Sequence, residues 1–78
     1  MATIRLSSLK CGEHAVIRGI HAEDAIRQRM MSMGFRSGRE ASVIRRGRMG
    51  GPLHIRIGSV SLVIRSKDAE QVEVSLMV

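Results

Sequence analysis

The sequence predicts a mainly β domain: a small SH3-like barrel of about five antiparallel strands with one inserted α-helix, residues ~22–33. A short helical turn is expected near 67–71. Three observations lead there. The apolar period is 2 along most of the chain and switches to 3.6 once. Glycine-bearing turns separate the apolar runs. The runs are so short that their edges need closure or covering, which favours a strongly bent barrel, with an OB-type barrel as the second arrangement. A length of 78 residues makes 1–78 a single domain, and 44% hydrophobic content supports a true core.

The elements follow in order. "IRLSSLKCGE" brings Ile4, Leu6 and Leu9 ahead of a glycine turn. "HAVIRGI" (14–20) reads as a strand, with Ala15 and Ile17 on one side and Val16 and Ile20 on the other. "AEDAIRQRMMSMGF" (22–35) reads as the helix, with Ala22, Ile26, Met30 and Met33 on one stripe. Glu23 and Asp24 suit its first turn, Glu23 and Arg27 are spaced as an i, i+4 pair, and Gly34 supplies a left-handed stop. Phe35 is then placed to fold back onto the last turn.

Four further strands complete the chain. "REASVIR" (39–45) puts Ala41 and Val43 on one face, and "LHIRIG" (53–58) turns Leu53, Ile55 and Ile57 inward. "VSLVIRS" (60–66) repeats the pattern with Val60, Leu62 and Ile64 after the two-residue turn Gly58-Ser59. Ser66 is a candidate cap for the helical turn, and "VEVSLMV" (72–78) closes with Val72, Val74 and Leu76 on one face.

The charge is +6 and unevenly spread. Between Arg36 and Arg65 there are seven arginines and one acid, Glu40. Such a stretch calls for an acidic partner: nucleic acid, an anionic lipid surface or an acidic protein face. Phosphate contacts alone give weak, salt-sensitive binding, and with Phe35 as the only aromatic there is no stacking platform for single strands. Nucleic acid is therefore the less favoured partner.

Other chemistries find less support. "RGRMGGPLHIRIG" (46–58) has the glycines of a phosphate cradle, but Pro52-Leu53-His54 stands where Lys-Ser would be, and a strand follows instead of a helix. It reads as a hairpin tip. Cys11, Glu13 and His14 lie close together, yet no metal-ligand spacing connects them to His21 or His54. A lone thiol, Cys11, suits a reducing cytoplasm. No catalytic constellation is visible, so a non-enzyme without a cofactor is expected. There is no apolar leader or membrane-length run either, which points to a soluble protein. In "MMSM", Met30 and Met31 cannot both point inward, so Met31 is the better candidate for a partner contact.

Taken in order, these segments resemble the ferrous iron transport protein A (FeoA) family. Leu6, Leu9 and Gly12 match its L-x-x-L-x-x-G pattern near the start. Arg27, Arg29, Gly34 and Gly38 match its R-x-R-L-x-x-L-G-L-x-x-G motif, with Met30, Met33 and Phe35 in place of the usual leucines. The glycine–proline turn and the closing Ala69, Val72 and Val74 agree as well. The resemblance implies an SH3-like barrel and a cytoplasmic accessory role in bacterial Fe(II) uptake. The implied partner is the FeoB membrane transporter, through its cytoplasmic GTPase region. The same fold also occurs as a C-terminal domain of metal-dependent repressors, so a metal-sensing regulatory domain remains an alternative, as does a nucleic-acid-binding barrel.

Residues and resemblance together nominate two contact regions. One is an apolar groove beside the helix, with Met31, Met33, Phe35, Arg27 and Arg29. The other is the basic hairpin Arg45, Arg46, Arg48 and Met49, suited to an acidic GTPase surface or the anionic inner face of the membrane. A monomer or weak oligomer is expected.

Overall fold

The computed structural model describes residues 2–77. Strand β1 (Ile4–Arg5) leads into a 3-10 turn (Leu6–Ser8), followed by β2 (His14–Ile20) and helix α1 (Asp24–Ser32). Next come β3 (Glu40–Arg46), a second 3-10 turn (Arg48–Gly50), β4 (Leu53–Ile57) and β5 (Val60–Ile64). Helix α2 (Ser66–Ala69) and β6 (Val72–Leu76) end the described chain. All strands join one antiparallel sheet in the order β1-β6-β2-β3-β4-β5.

The expected strands are present, with a sixth in addition. The N-terminal segment, expected to supply only Ile4, Leu6 and Leu9 before a turn, pairs Ile4 and Arg5 with Val74 and Glu73 of β6. A two-residue strand leaves no periodic trace in a sequence. The helix is shorter than 22–33, because Glu23 stands outside it as an extended N-cap. Arg27 accordingly pairs with Asp24 at 2.8 Å and not with Glu23.

The inward faces of the strands build the core. Ala15 and Ile17 meet Ala41, Val43, Leu53, Ile55, Ile57, Val72 and Val74, all buried. Leu6, Leu9 and Ala69 pack into the same cluster. From the helix only Met30 is fully buried, and Ile26 packs partly against the core. Met33 leaves the expected stripe: it is the helix C-cap and is exposed. Val60 and Leu76 keep their places in the alternation but are not buried, with exposures of 55% and 41%. Val60 stands at the open end of the β4–β5 turn, and Leu76 is the last residue of β6. Ser75 is buried instead and accepts a 3.0 Å hydrogen bond from Arg18 Nε. Ser66 begins α2 as a helical residue, with Arg65 as its N-cap and no side-chain cap. The last strand ends at Leu76, short of the expected 72–78: Met77 is no longer strand, and Val78 lies outside the described residues.

Helix α1 stops by a paired-bond turn. The Gly34 N–H donates to the Met31 carbonyl at 3.1 Å, and the Phe35 N–H reaches back to the Met30 carbonyl at 3.1 Å. Gly34 holds φ +113, which puts Phe35 into the core with no exposed surface. A Cβ at Gly34 would have room, the nearest atom being Ile57 Cγ2 at 3.9 Å, so the constraint is backbone strain and not crowding. Gly34→Ala should cost about 1–2 kcal/mol. The urea midpoint should fall at unchanged slope; an unchanged midpoint would show that the turn does not need its left-handed residue.

Candidate partner-binding site

The site begins as an irregularity in the central ladder. β2 pairs with β6 in register from Ala15–Leu76 to Ile17–Val74, and the register shifts between Ile17 and Gly19. The extra residue of this bulge is Arg18. Bulges re-aim side chains next to the strand, and here Arg18 lies over Ser75 while its carbonyl accepts from Ser37 Oγ at 3.3 Å. Beyond the bulge the His21 N–H donates to the Gln71 carbonyl at 2.7 Å, which carries the pairing past the end of the strand.

A groove of about 710 Å³ opens between this end of β2 and helix α1. Ile20, Met31 and Phe35 supply its apolar lining, with Phe35 as the floor. Arg18, Arg27 and Gln28 stand on its walls, and His21 and Glu73 close one side. His21 Nε2 and Glu73 Oε1 are 2.9 Å apart, an ion pair only when the imidazole carries its second proton. The other carboxylate oxygen of Glu73 accepts from Thr3 Oγ1 at 2.6 Å. These bonds, Thr3 first and His21 second, hold the Glu73 carboxyl below its ordinary value of 4.5. The groove is thus an apolar trough with Arg18 and Arg27 on its walls and the His21–Glu73 pair along one side, suited to a partner segment that is apolar on one face and acidic where it meets the arginines.

The basic hairpin is a separate surface. β3 and β4 are joined through residues 47–52, where the Gly47 N–H donates to the Pro52 carbonyl at 2.8 Å and the Gly51 N–H to the Arg48 carbonyl at 3.0 Å. The tip is a turn and opens onto a strand, as its sequence implied. Its left-handed residues are Gly50 and, unexpectedly, Met49 at φ 53. Met49 is fully exposed between Arg48 and the glycines. Arg46 is partly withdrawn, since its guanidinium donates to the Leu9 carbonyl.

The structure therefore sorts the nominated residues. Arg27, Met31 and Phe35 meet in the groove, although Phe35 is floor and has no free surface of its own. Arg29 and Met33 lie outside its lining, while Arg45, Arg48 and Met49 sit on the hairpin. Arg18, His21 and Glu73 were not foreseen. The one available sign was Arg18 itself, a charge inside the otherwise apolar run "HAVIRGI".

A smaller cleft of about 300 Å³ is lined by His14, Glu40, Ser42, Arg56 and Gly58. His14 Nδ1 and Glu40 Oε2 are 2.7 Å apart there. Among the described residues no three His, Cys, Asp or Glu side chains converge as metal ligands. Nor is any described helix long and apolar enough to cross a membrane.

The model of the FeoA domain matches residues 4–76. The chain belongs to the FeoA family. A relative in Porphyromonas gingivalis, a Fe(2+) transport protein A/Fe(2+) transporter FeoB fusion protein, is 32% identical over 95% of the chain. The chain spans only 9% of that fusion protein's length. An iron uptake regulatory protein (FeoA) has a crystal structure that aligns with a TM-score of 0.89 at 28% identity, over 97% of this chain and 100% of that one. The zinc-complexed FeoA of Stenotrophomonas maltophilia, described as a prokaryotic SH3 domain protein, aligns with a TM-score of 0.80 at 32% identity, over 92% and 89% of the two chains. The expected SH3-like class is thereby met.

The lowered Glu73 carboxyl gives a pH prediction for the groove. Because its folded value lies below the unfolded one, its stabilisation is complete above the unfolded value and is lost as pH falls through the folded value. Glu73→Gln should therefore be less stable than the wild type near neutral pH. The difference should shrink in urea titrations at pH about 3. A difference that stays constant across this range would mean that the Thr3 and His21 bonds do not favour the ionised form.

Proposed function

We propose that this chain is a non-enzymatic cytoplasmic accessory protein that docks on the cytoplasmic GTPase region of a FeoB-type Fe(II) transporter and modulates transport. The observation that carries the reading is the relative in which FeoA and FeoB are one polypeptide. A fusion holds two partners at high effective concentration, the condition that favours a modest regulatory contact. The groove supplies a contact of the right kind: Met31 is an adaptable apolar anchor, and the Arg18 and Arg27 guanidiniums, bonded within the chain to Ser75 and Asp24, add positive potential to its walls. The hairpin arginines Arg45 and Arg48, with Met49 between charge and glycine at the tip, suit a second contact to the same acidic surface or to the anionic inner leaflet.

One structural feature weighs against nucleic acid. Phe35, the sole aromatic, is wholly buried, so base stacking has no platform.

Calorimetric titration against the transporter's cytoplasmic GTPase region tests the reading. The wild type should bind, and Met31→Glu and Arg27→Glu should each weaken binding by about tenfold or more. The double variant Arg45→Glu/Arg48→Glu should weaken it with a shallower salt dependence. Absence of wild-type binding overturns the reading. Binding that survives both groove variants moves the contact away from the groove.

A further inference from the structure

Strand β5 is an outer strand of the sheet, paired with β4 alone. The opposite outer strand, β1, has only two residues, so β5 is the one edge long enough to accept another strand. Its ladder with β4 runs unbroken from Ile57–Val60 to Leu53–Ile64. Gly58-Ser59 forms a two-residue hairpin turn, which makes Ile57–Val60 a hydrogen-bonded pair. Ile55–Leu62 and Leu53–Ile64 are then bonded pairs as well. Ser61 and Val63 must therefore turn their N–H and C=O groups away from β4. Among the described residues no backbone bond from another element reaches either of them.

Edges of this kind are normally guarded by a charge, a proline or a bulge on the strand itself. "VSLVI" has none, and Val63 is 63% exposed. The surroundings are mainly basic: residues 41–67 contain five arginines and one lysine and no acid, and the flanking acids are Glu40, in the small cleft with Arg56, and Asp68, 3.5 Å from Arg65 Nε. Arg56 lies directly opposite Ser61, and His54 opposite Val63. The Arg39 guanidinium sits against Gly58 at one end of the edge, and Arg65 follows the other end.

We propose that β5 is a strand-addition site for an extended acidic segment of a partner protein. The segment's backbone pairs with Ser61 and Val63, its apolar side chains lie along Val63, and its carboxylates meet Arg56 and its neighbours. A second copy of the chain is the poorer occupant. It would bring one arginine-flanked edge against another and set like charges side by side. The proposal uses a different face from the groove and does not rest on the transporter reading.

The test is amide exchange by NMR on the full chain, with a synthetic extended peptide of alternating glutamate and valine as the probe. With peptide, the Ser61 and Val63 amides should exchange slower by about tenfold or more. A peptide N-methylated at its pairing amides should give no protection. Ser61→Pro should abolish the effect and still fold, since that N–H takes no part in the β4 ladder. Should Ser61→Pro fail to fold, Val63→Glu should weaken the protection by setting like charges against the peptide, and the N-methylated peptide decides the backbone pairing. The proposal is overturned by unprotected Ser61 and Val63 amides at millimolar peptide, or by equal binding of the N-methylated form. It is also overturned if protection rises with the chain's own concentration without peptide, because the occupant is then a second copy.

Discussion

The pairing of β2 with β6 is the contact on which the rest of the molecule depends. It joins residues 57 positions apart, as between Arg18 and Ser75, so the chain must close a long loop before any of this burial is gained. Ile17, Val72 and Val74 offset that cost by becoming fully buried along the ladder. β6 in turn gives β1 its only strand partner among the described residues, which holds the N-terminal turn with Leu6 against the core. The groove is a by-product of the same ladder, because the shift between Ile17 and Gly19 is what sets Arg18 on its wall.

Charge in this protein is divided between structural and open uses. Arg18 is bonded to Ser75, Arg27 to Asp24, and Arg46 to the Leu9 carbonyl. Those three help to shape the walls of the groove and the base of the hairpin. Arg45, Arg48 and Arg56 make no side-chain hydrogen bond among the described residues and are left to the solvent or to a partner. At the hairpin tip a methionine occupies the left-handed region and is fully exposed, a combination that is costly in both backbone strain and apolar hydration. It sits where the open arginines are densest.

Much of the fold was legible because strand and helix periods are local. Leu53, Ile55 and Ile57 alternate inward as their pattern required, and Gly34 ends the helix where the chain needs φ > 0. Position within an element was harder to see. Met33, Val60 and Leu76 fit the apolar pattern but stand at element ends, where the facing layer runs out. The site was legible only on its helical side. Arg27, Met31 and Phe35 come from one continuous stretch, whereas His21 and Glu73 meet across 52 residues and Thr3 joins Glu73 across 70.

The amino-acid sequence by itself determined the β-rich class, the longer helix and its stop, the basic hairpin and the family. Each of these rests on neighbours within a few residues or on an ordered set of motifs. Only the tertiary structure decided which strand lies at the edge, where the bulge falls and which arginines remain open. Those features are set by long-range pairing register, and register is chosen by how the whole core packs.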